Sequence, residues 1–156
     1  MALPDLTVVL LALGLLSGPW LGGLVVAHSV AYRQPLRQHC PVCGVVTVDV
    51  TRGGVLAAAP PDARCRQCRS PTGPAPGLLE VVAAAVLCLL AVATPSVWVL
   101  AAWSWTALLG IALAFIDVAV LRLPDVLTIA AGLGSLGLPG VAAVATDSPR
   151  TAAPAT

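Results

Sequence analysis

Four cysteines in one polar segment have a spacing that predicts metal chemistry. Two CxxC pairs, Cys40-Pro41-Val42-Cys43 and Cys65-Arg66-Gln67-Cys68, are separated by 21 residues. Two such pairs can present four thiolates to one Zn²⁺ in tetrahedral geometry, whatever the fold of the segment between them. Because four thiolates close the coordination sphere, the sequence predicts a structural zinc site. Disulfides or free thiols are the alternatives to this interpretation.

Three other side chains could bind a metal, but the sequence favours simpler roles for them. His39 adjoins Cys40 and could replace a thiolate, yet the four cysteines already suffice. We therefore expect neither His28 nor His39 to be a ligand. Cys88 lies alone in an apolar stretch, where a small packing residue is the expected role.

Asp117 is the second residue with chemical significance. It directly follows the apolar run 108–116, and an ionisable group in a membrane helix is costly enough to suggest a function. The alternative is that it lies near the helix end, reaches water and pairs with Arg122. Composition does not decide between the two. Glu80 and Asp125 fall in the first turns of predicted helices, where acids interact favourably with the helix dipole.

The composition indicates a membrane protein. Apolar residues make up 58% of the chain and charged residues 10%, against about 25% charged in soluble domains. The mean hydropathy is +0.96. The net charge of +1 argues against binding nucleic acid by bulk charge. We therefore expect the lipid bilayer, and no nucleic acid, as a partner.

Four apolar stretches are candidates for membrane helices, which need about 20 residues each. They run from about Leu6 to Ala31 with an interruption at Gly18-Pro19, from Leu78 to Ala93, from Val97 to Leu121, and from Pro124 to about Thr146 with an interruption at Pro139-Gly140. Three tryptophans near the start of the third stretch are typical of an aromatic belt. The sequence therefore predicts an all-α integral membrane protein with three to four transmembrane helices and a small zinc-stapled loop.

The first stretch could instead be a cleaved signal peptide. However, no basic residue precedes its apolar run, and the run is too long for a signal sequence. We therefore expect a retained helix.

The arginines predict the orientation and the domain organisation. Six of the eight basic residues lie in the segment 33–77, which places this segment in the cytoplasm. Arg122 falls on the same side after two crossings. We expect a first transmembrane helix over 1–32, a cytoplasmic zinc loop over 33–77 and helices two to four over 78–146. The Ala-, Thr- and Pro-rich tail from about Ala145, including 147–156, is typical of disorder.

Together these residues resemble the motifs of the bacterial type IV prepilin peptidases, which are integral-membrane aspartic endopeptidases. That family has CPxC, then RCRxC, a Pro, a Glu that opens the next helix, an Ile-Asp pair and LPDxLT. The corresponding residues here are Cys40 to Cys43, Arg64 to Cys68, Ser70-Pro71, Glu80, Phe115-Ile116-Asp117 and Leu123-Pro124-Asp125-Val126-Leu127-Thr128. The resemblance covers roughly residues 14–138.

The resemblance implies a cut between the short basic leader and the hydrophobic helix of a prepilin or pseudopilin, at the cytoplasmic face of the bacterial inner membrane. Such chemistry needs two carboxylates that share a water, one as general base and the other as general acid. Asp117 matches the first family aspartate. Pro124, Asp125 and Glu80 belong to the motifs without an assigned catalytic role.

The second family aspartate lies in a GxGD motif, which this sequence lacks. Asp125 follows Asp117 by eight residues, about 12 Å on one continuous helix, which is too far to share a water unless Pro124 folds the chain back. We therefore expect a C-terminally truncated or frame-shifted peptidase that is incomplete as an enzyme. The alternatives are a non-catalytic zinc-loop membrane adaptor and one half of a split peptidase.

The family also methylates the new pilin N-terminus with S-adenosylmethionine, an activity tied to its N-terminal half. Here Gly18-Pro19-Trp20-Leu21-Gly22 stands where the family has a Gly-Ser-Phe-Leu-Asn-like sequence. The resemblance leaves methyl transfer open, and this departure counts against it.

Overall fold

The computed structural model describes residues 3–31, 34–48, 59–60, 62–94, 96–121 and 123–147. Within these residues the chain is all-α and has four helices. They are α1 (Leu3–His28), α2 (Leu78–Ala93), α3 (Val97–Val120) and α4 (Asp125–Asp147). Each of the four predicted apolar stretches thus forms one helix. The described part of the polar segment between α1 and α2 consists of turns and extended chain with two isolated β-bridges.

Two prolines lie inside helices, so the predicted interruptions at Gly18-Pro19 and Pro139-Gly140 are wrong. α1 continues through Pro19 and α4 continues through Pro139. A proline removes one backbone hydrogen bond, but a helix of more than twenty residues keeps the others, and apolar helices in bundles tolerate this loss.

α4 ends at Asp147, one residue beyond the predicted end at about Thr146. The first three residues of the expected disordered tail, from Ala145, are therefore helical. The remaining tail residues, 148–156, lie outside the described residues.

Two hydrophobic clusters define the topology of the bundle. One joins the end of α1, the start of α2, the end of α3 and the start of α4, and its buried members include Leu24, Leu79, Ile116 and Leu127. The other joins the start of α1, the end of α2 and the start of α3 through Leu10, Leu87, Ala91 and Leu100. The helices therefore run up and down alternately, and the polar segment lies at the end that carries the first cluster.

The α1–α2 pair is built on glycines spaced by four residues. A Cβ atom built on Gly14 would lie 2.5 Å from the backbone nitrogen of Ala84 and 2.9 Å from the carbonyl carbon of Ala83. One built on Gly18 would lie 2.5 Å from a carboxyl oxygen of Glu80. Small residues at this spacing let two helix backbones approach closely. The Gly14–Gly18–Gly22 face of α1 therefore sets the distance between the two helices.

Polar contacts join α3 and α4 into a hairpin. The indole nitrogen of Trp105 donates to the carbonyl oxygen of Ala130 (3.0 Å), and the hydroxyls of Thr106 and Ser135 are 2.6 Å apart. The Trp105 ring lies directly over Gly134, where a Cβ atom would overlap it. Small residues on α4 thus make room for the large side chain of α3.

Two helices, α1 from Asp5 and α3, are each long and apolar enough to cross a membrane by length and composition. α2 has 16 residues, which span about 24 Å at 1.5 Å per residue against about 30 Å of hydrocarbon. α4 has 23 residues, and its apolar part is described from Asp125 to Gly140. Of the three to four predicted spans, two helices among the described residues thus meet this test of length and composition.

The close approach at Gly14 predicts a specific sensitivity. Gly14→Ala should destabilise the chain by about 1–3 kcal/mol, because the added methyl meets the backbone of α2. Gly110→Ala in α3 is the control, since nothing lies within 4 Å of that position and alanine favours a helix by up to about 1 kcal/mol. Thermal unfolding in detergent, followed by tryptophan fluorescence, measures both. Equal midpoints for the two variants would contradict the close packing.

Candidate metal centre

Each CxxC pair forms the same backbone turn, which is called a knuckle. The first knuckle contains Cys40 and Cys43, and the second contains Cys65 and Cys68. In the first knuckle, the N–H of Cys40 donates to Val45 O (2.8 Å) and that of Gly44 donates to Cys40 O (2.9 Å). In the second knuckle, the N–H of Cys65 donates to Ser70 O (2.9 Å) and that of Arg69 donates to Cys65 O (2.9 Å).

The flanking residues extend this equivalence. An isolated β-bridge joins His39 to Val46, and another joins Arg64 to Pro71. In both bridges the first residue lies one position before the first cysteine of the pair, and the second residue lies six positions after it. The fourth residue after that cysteine has positive φ in both turns, 72° at Gly44 and 58° at Arg69. The two knuckles are thus local repeats of one shape, although their sequences share little beyond the cysteines.

The four sulfur atoms converge on one point. The Cys40 and Cys68 Sγ atoms are 3.6 Å apart, the Cys43 and Cys65 Sγ atoms are 3.5 Å apart, and all four lie within 4.8 Å of one another. A tetrahedral site with metal–sulfur bonds of 2.3 Å requires sulfur separations of about 3.8 Å, whereas a disulfide requires about 2.05 Å. All four cysteines are free. The cluster could therefore hold a metal ion, and its donor set fits a closed tetrahedral site.

Ser70 is a part of this centre that the spacing of the cysteines does not reveal. Its Oγ lies 3.3 Å from Cys40 Sγ and 3.0 Å from Cys68 Sγ. A hydrogen bond from the Ser70 hydroxyl, followed by the backbone N–H groups of Cys43 and Val42, lowers the pKa of Cys40 to about 6. Ser70 also lowers the pKa of Cys68. Both thiols are thereby shifted towards the thiolate form that binds metals.

Cys43 has the opposite shift. The backbone N–H of Val45 lowers its pKa, but desolvation and the neighbouring thiols outweigh this and raise the pKa to about 12. Four thiols at this separation cannot all ionise without a cation between them, because each thiolate repels the next. Metal binding at this centre must therefore release protons.

The remaining sequence candidates for metal binding lie outside the cluster. Among the described residues, the four-cysteine group contains neither histidine. His28 Nδ1 lies 3.0 Å from Leu24 O in its own helix, and His39 is exposed. Cys88 lies half-buried on α2.

Short contacts tie the polar segment to the end of α1. The N–H of Arg37 donates to Ala27 O (2.9 Å), and the N–H of Ala59 donates to Pro19 O (2.8 Å). The hydrogen bond to the Pro19 carbonyl holds Ala59, which lies between the two CxxC pairs, against α1. The metal cluster therefore sits over the end of α1 rather than on a free loop.

Asp117 lies in the last turns of α3 and is exposed. Its backbone carbonyl accepts a hydrogen bond from the N–H of Leu121 (2.6 Å), whose φ of 51° ends the helix. Arg122, its predicted ion-pair partner, lies outside the described residues. The Asp117 side chain is therefore exposed at the end of α3.

Asp125 begins α4 and is also exposed. The carbonyl oxygen of Pro124 accepts hydrogen bonds from the N–H groups of Leu127 and Thr128, both at 3.1 Å. Pro124 therefore directly precedes α4 and accepts the first hydrogen bonds of the helix. α3 ends at Val120 and α4 begins at Asp125, so Asp117 and Asp125 lie on different helices and the separation of about 12 Å expected for one continuous helix does not apply. No hydrogen bond joins the Asp117 and Asp125 carboxyl groups in the described part of the chain.

Glu80 is in the first turn of α2, as predicted, and is half-buried against Gly18. The arginines with described positions, Arg37, Arg64, Arg66 and Arg69, all belong to the polar segment, and Arg69 pairs with Asp62 at 3.5 Å on the surface. Arg33, Arg52 and Asp49 lie outside the described residues.

Comparisons of the chain with protein-family models, with curated proteins and with solved structures found no match. The resemblance to the prepilin peptidases stays a prediction from the motifs.

The geometry of the cluster predicts which cysteine matters. Cys65→Ser should abolish stoichiometric metal binding, because Cys65 is a buried member of the set. Cys88→Ser, which changes a thiol outside the cluster, should leave the metal content unchanged. Elemental analysis of the purified full-length variants measures both. Equal metal content in the two variants would exclude the assigned ligand set.

The Ser70 hydrogen bonds predict a pH-dependent effect. In Ser70→Ala the pKa of Cys40 should rise from about 6 towards 9.0, its ordinary value. At pH 7 the metal must then displace a proton, so its affinity should fall by about tenfold. Above pH 9.0 both chains are ionised at Cys40, and their affinities should converge.

Chelator competition across this pH range measures the effect. Thr47→Val is the control, because Thr47 donates to the Val45 carbonyl in the other knuckle and does not contact sulfur. A Ser70→Ala chain with wild-type affinity at pH 7 would show that Ser70 does not tune the thiols.

Proposed function

We propose that this chain is a prepilin-peptidase-like membrane protein whose Asp117 supplies one carboxylate of an aspartic endopeptidase site. Its substrates would be prepilins or pseudopilins, cut between the basic leader and the hydrophobic helix at the cytoplasmic face. The observation that carries the proposal is the grouping of its parts. The tetrathiol cluster sits over the end of α1, and Asp117, the Pro124 turn and Glu80 lie at the same end of the helices.

The apolar surface supports a membrane location. Only 28% of the most apolar stretch of α3 is buried within the chain. Large apolar side chains such as Val118 (84% exposed) and Leu136 (80% exposed) face outward. A soluble monomer rarely exposes a contiguous apolar patch above a few hundred Å². We place α1 and α3 across the membrane, with α2 and α4 packed against them.

In this orientation the metal is a structural Zn²⁺ in the cytoplasm. The reducing cytoplasm keeps thiols free, and four thiolates with one dication carry a formal charge of −2, which the neighbouring arginines balance. Zinc would hold the two knuckles together because the polar segment has few apolar side chains to bury. No catalytic step passes through it, since four protein ligands leave no open position.

The proposed chemistry assigns Asp117 to one half of a carboxylate pair. An ionised carboxylate takes a proton from water, and a second, protonated carboxyl group donates to the departing amide nitrogen. Asp117 is exposed at the helix end where a leader peptide on the cytoplasmic side can reach it. Because the sequence contains no GxGD, we propose that a second polypeptide with this motif supplies the other carboxylate. Methyl transfer from S-adenosylmethionine is not part of the proposal.

The proposal predicts that activity requires both halves. In a bacterial host that lacks its own prepilin peptidase, co-expression of this chain with a membrane polypeptide carrying GxGD helices should restore cleavage of a prepilin. Asp117→Asn should lower cleavage by at least about a hundredfold, because it removes a reacting carboxylate, and should leave the zinc content unchanged.

Asp125→Asn is the matched control and should retain cleavage, since Asp125 has no assigned catalytic role. Immunoblotting for the shortened pilin measures the result. Full processing by the Asp117→Asn chain would overturn the catalytic assignment.

A non-catalytic adaptor is a second candidate function, and one observation favours it. The first knuckle exposes three apolar side chains at its tip, Val42, Val45 and Val46, which a cytoplasmic partner could cover. In an adaptor Asp117 is dispensable, whereas substitution of Cys40 or Cys65 abolishes function. The two proposals therefore predict opposite results for Asp117→Asn.

A further inference from the structure

A groove at the end of the bundle has a composition that the proposed peptidase site does not use. It lies between the last turns of α1 and α3, the segment 71–75 and the start of α2, and its volume is about 430 Å³. This volume is within the range of about 300–1,000 Å³ that is usual for small-molecule sites. The groove is open on one side, where α1 and α3 leave the apolar part of the bundle.

Its walls are apolar and its single charge is positive. Val25, Leu78, Phe115, Val118 and Ala119 line the walls, and Arg37 is the one charged residue among the described residues that line it. In the described part of the chain no acidic side chain pairs with Arg37. The backbone N–H of Arg37 donates to Ala27 O, which holds the residue beside the end of α1, and Arg37 is exposed.

The other polar groups of the groove are already engaged. The Ser29 hydroxyl donates to Val25 O at 2.6 Å, and the Thr72 hydroxyl donates to Ala63 O at 3.2 Å. Pro71 and Pro74 have no N–H to offer. A ligand of this groove therefore needs one anionic group for Arg37 and a hydrophobic body for the walls.

The geometry points to an anionic phospholipid of the cytoplasmic leaflet as the occupant of this groove. Its phosphate would pair with the Arg37 guanidinium, and one acyl chain would lie along Phe115, Val118 and Ala119. This inference rests on the proposed membrane location but not on peptidase activity. Basic pockets at the cytoplasmic ends of membrane helices have the chemistry to hold anionic headgroups.

Native mass spectrometry of the full-length protein, released from detergent, tests the inference. The probes are dioleoylphosphatidylglycerol and dioleoylphosphatidylcholine, which share acyl chains and differ in charge. The original chain should retain one phosphatidylglycerol in preference to phosphatidylcholine. Arg37→Gln should lower this preference by about fivefold, as expected for one basic residue at a membrane surface, and Arg37→Lys should restore it. Ala119→Trp, which fills the groove, should reduce retention of both lipids.

Arg66→Gln is the matched control, since Arg66 is an exposed arginine of the second knuckle outside the groove. Equal retention of the two lipids by the original chain would overturn the inference. So would a preference that survives Arg37→Gln, or one that Arg66→Gln lowers equally. Carbonate extraction of cell membranes distinguishes a failure of the proposed membrane location from a failure of the groove assignment. Release of the chain by carbonate would contradict the membrane location itself, whereas a retained chain without lipid preference would contradict only the groove assignment.

Discussion

The convergence of four thiols constrains the polar half of this protein. The segment between α1 and α2 has few apolar side chains to bury, yet its two knuckles must keep four sulfur atoms within 4.8 Å. The distance can be kept because the segment is anchored at both ends. Hydrogen bonds to the carbonyls of Pro19 and Ala27 hold it against α1, and its other end leads into α2 at Leu78. The cluster in turn fixes where the polar segment lies over the helix ends.

The anchoring depends on how closely α1 and α2 approach. Gly14 lets the backbone of Ala84 lie against α1, and Gly18 leaves space for the side chain of Glu80. Wider separation of these helices would move the start of α2 away from the end of α1, and with it the second knuckle from the first. The helix packing and the geometry of the metal centre are therefore coupled through the ends of one segment.

The sequence predicts the helices and the grouping of the four cysteines well, because both depend on local signals. Hydrophobic length marks each helix, and the paired CxxC spacing marks the cluster. What the sequence could not predict depends on contacts between distant residues. Pro19 was expected to interrupt α1, whereas the helix continues and the Pro19 carbonyl binds Ala59. The contact of Ser70 with two sulfurs arises only when the knuckles meet, although its place two residues after Cys68 is a usable signal. The GxxxG spacing of Gly14 and Gly18 was a signal for the α1–α2 contact. The sequence alone does not decide whether the side chain of Asp117 is buried or exposed. In the structure it is exposed, in the last turn before α3 ends at Val120.

We propose that the four thiols hold one structural zinc ion over the cytoplasmic end of the helices. Zinc X-ray absorption spectroscopy of the purified full-length chain tests it most directly. The account predicts a single shell of four sulfur ligands at about 2.3 Å. A shell that contains nitrogen or oxygen ligands, or a chain purified with intramolecular disulfides and no bound zinc, would contradict it.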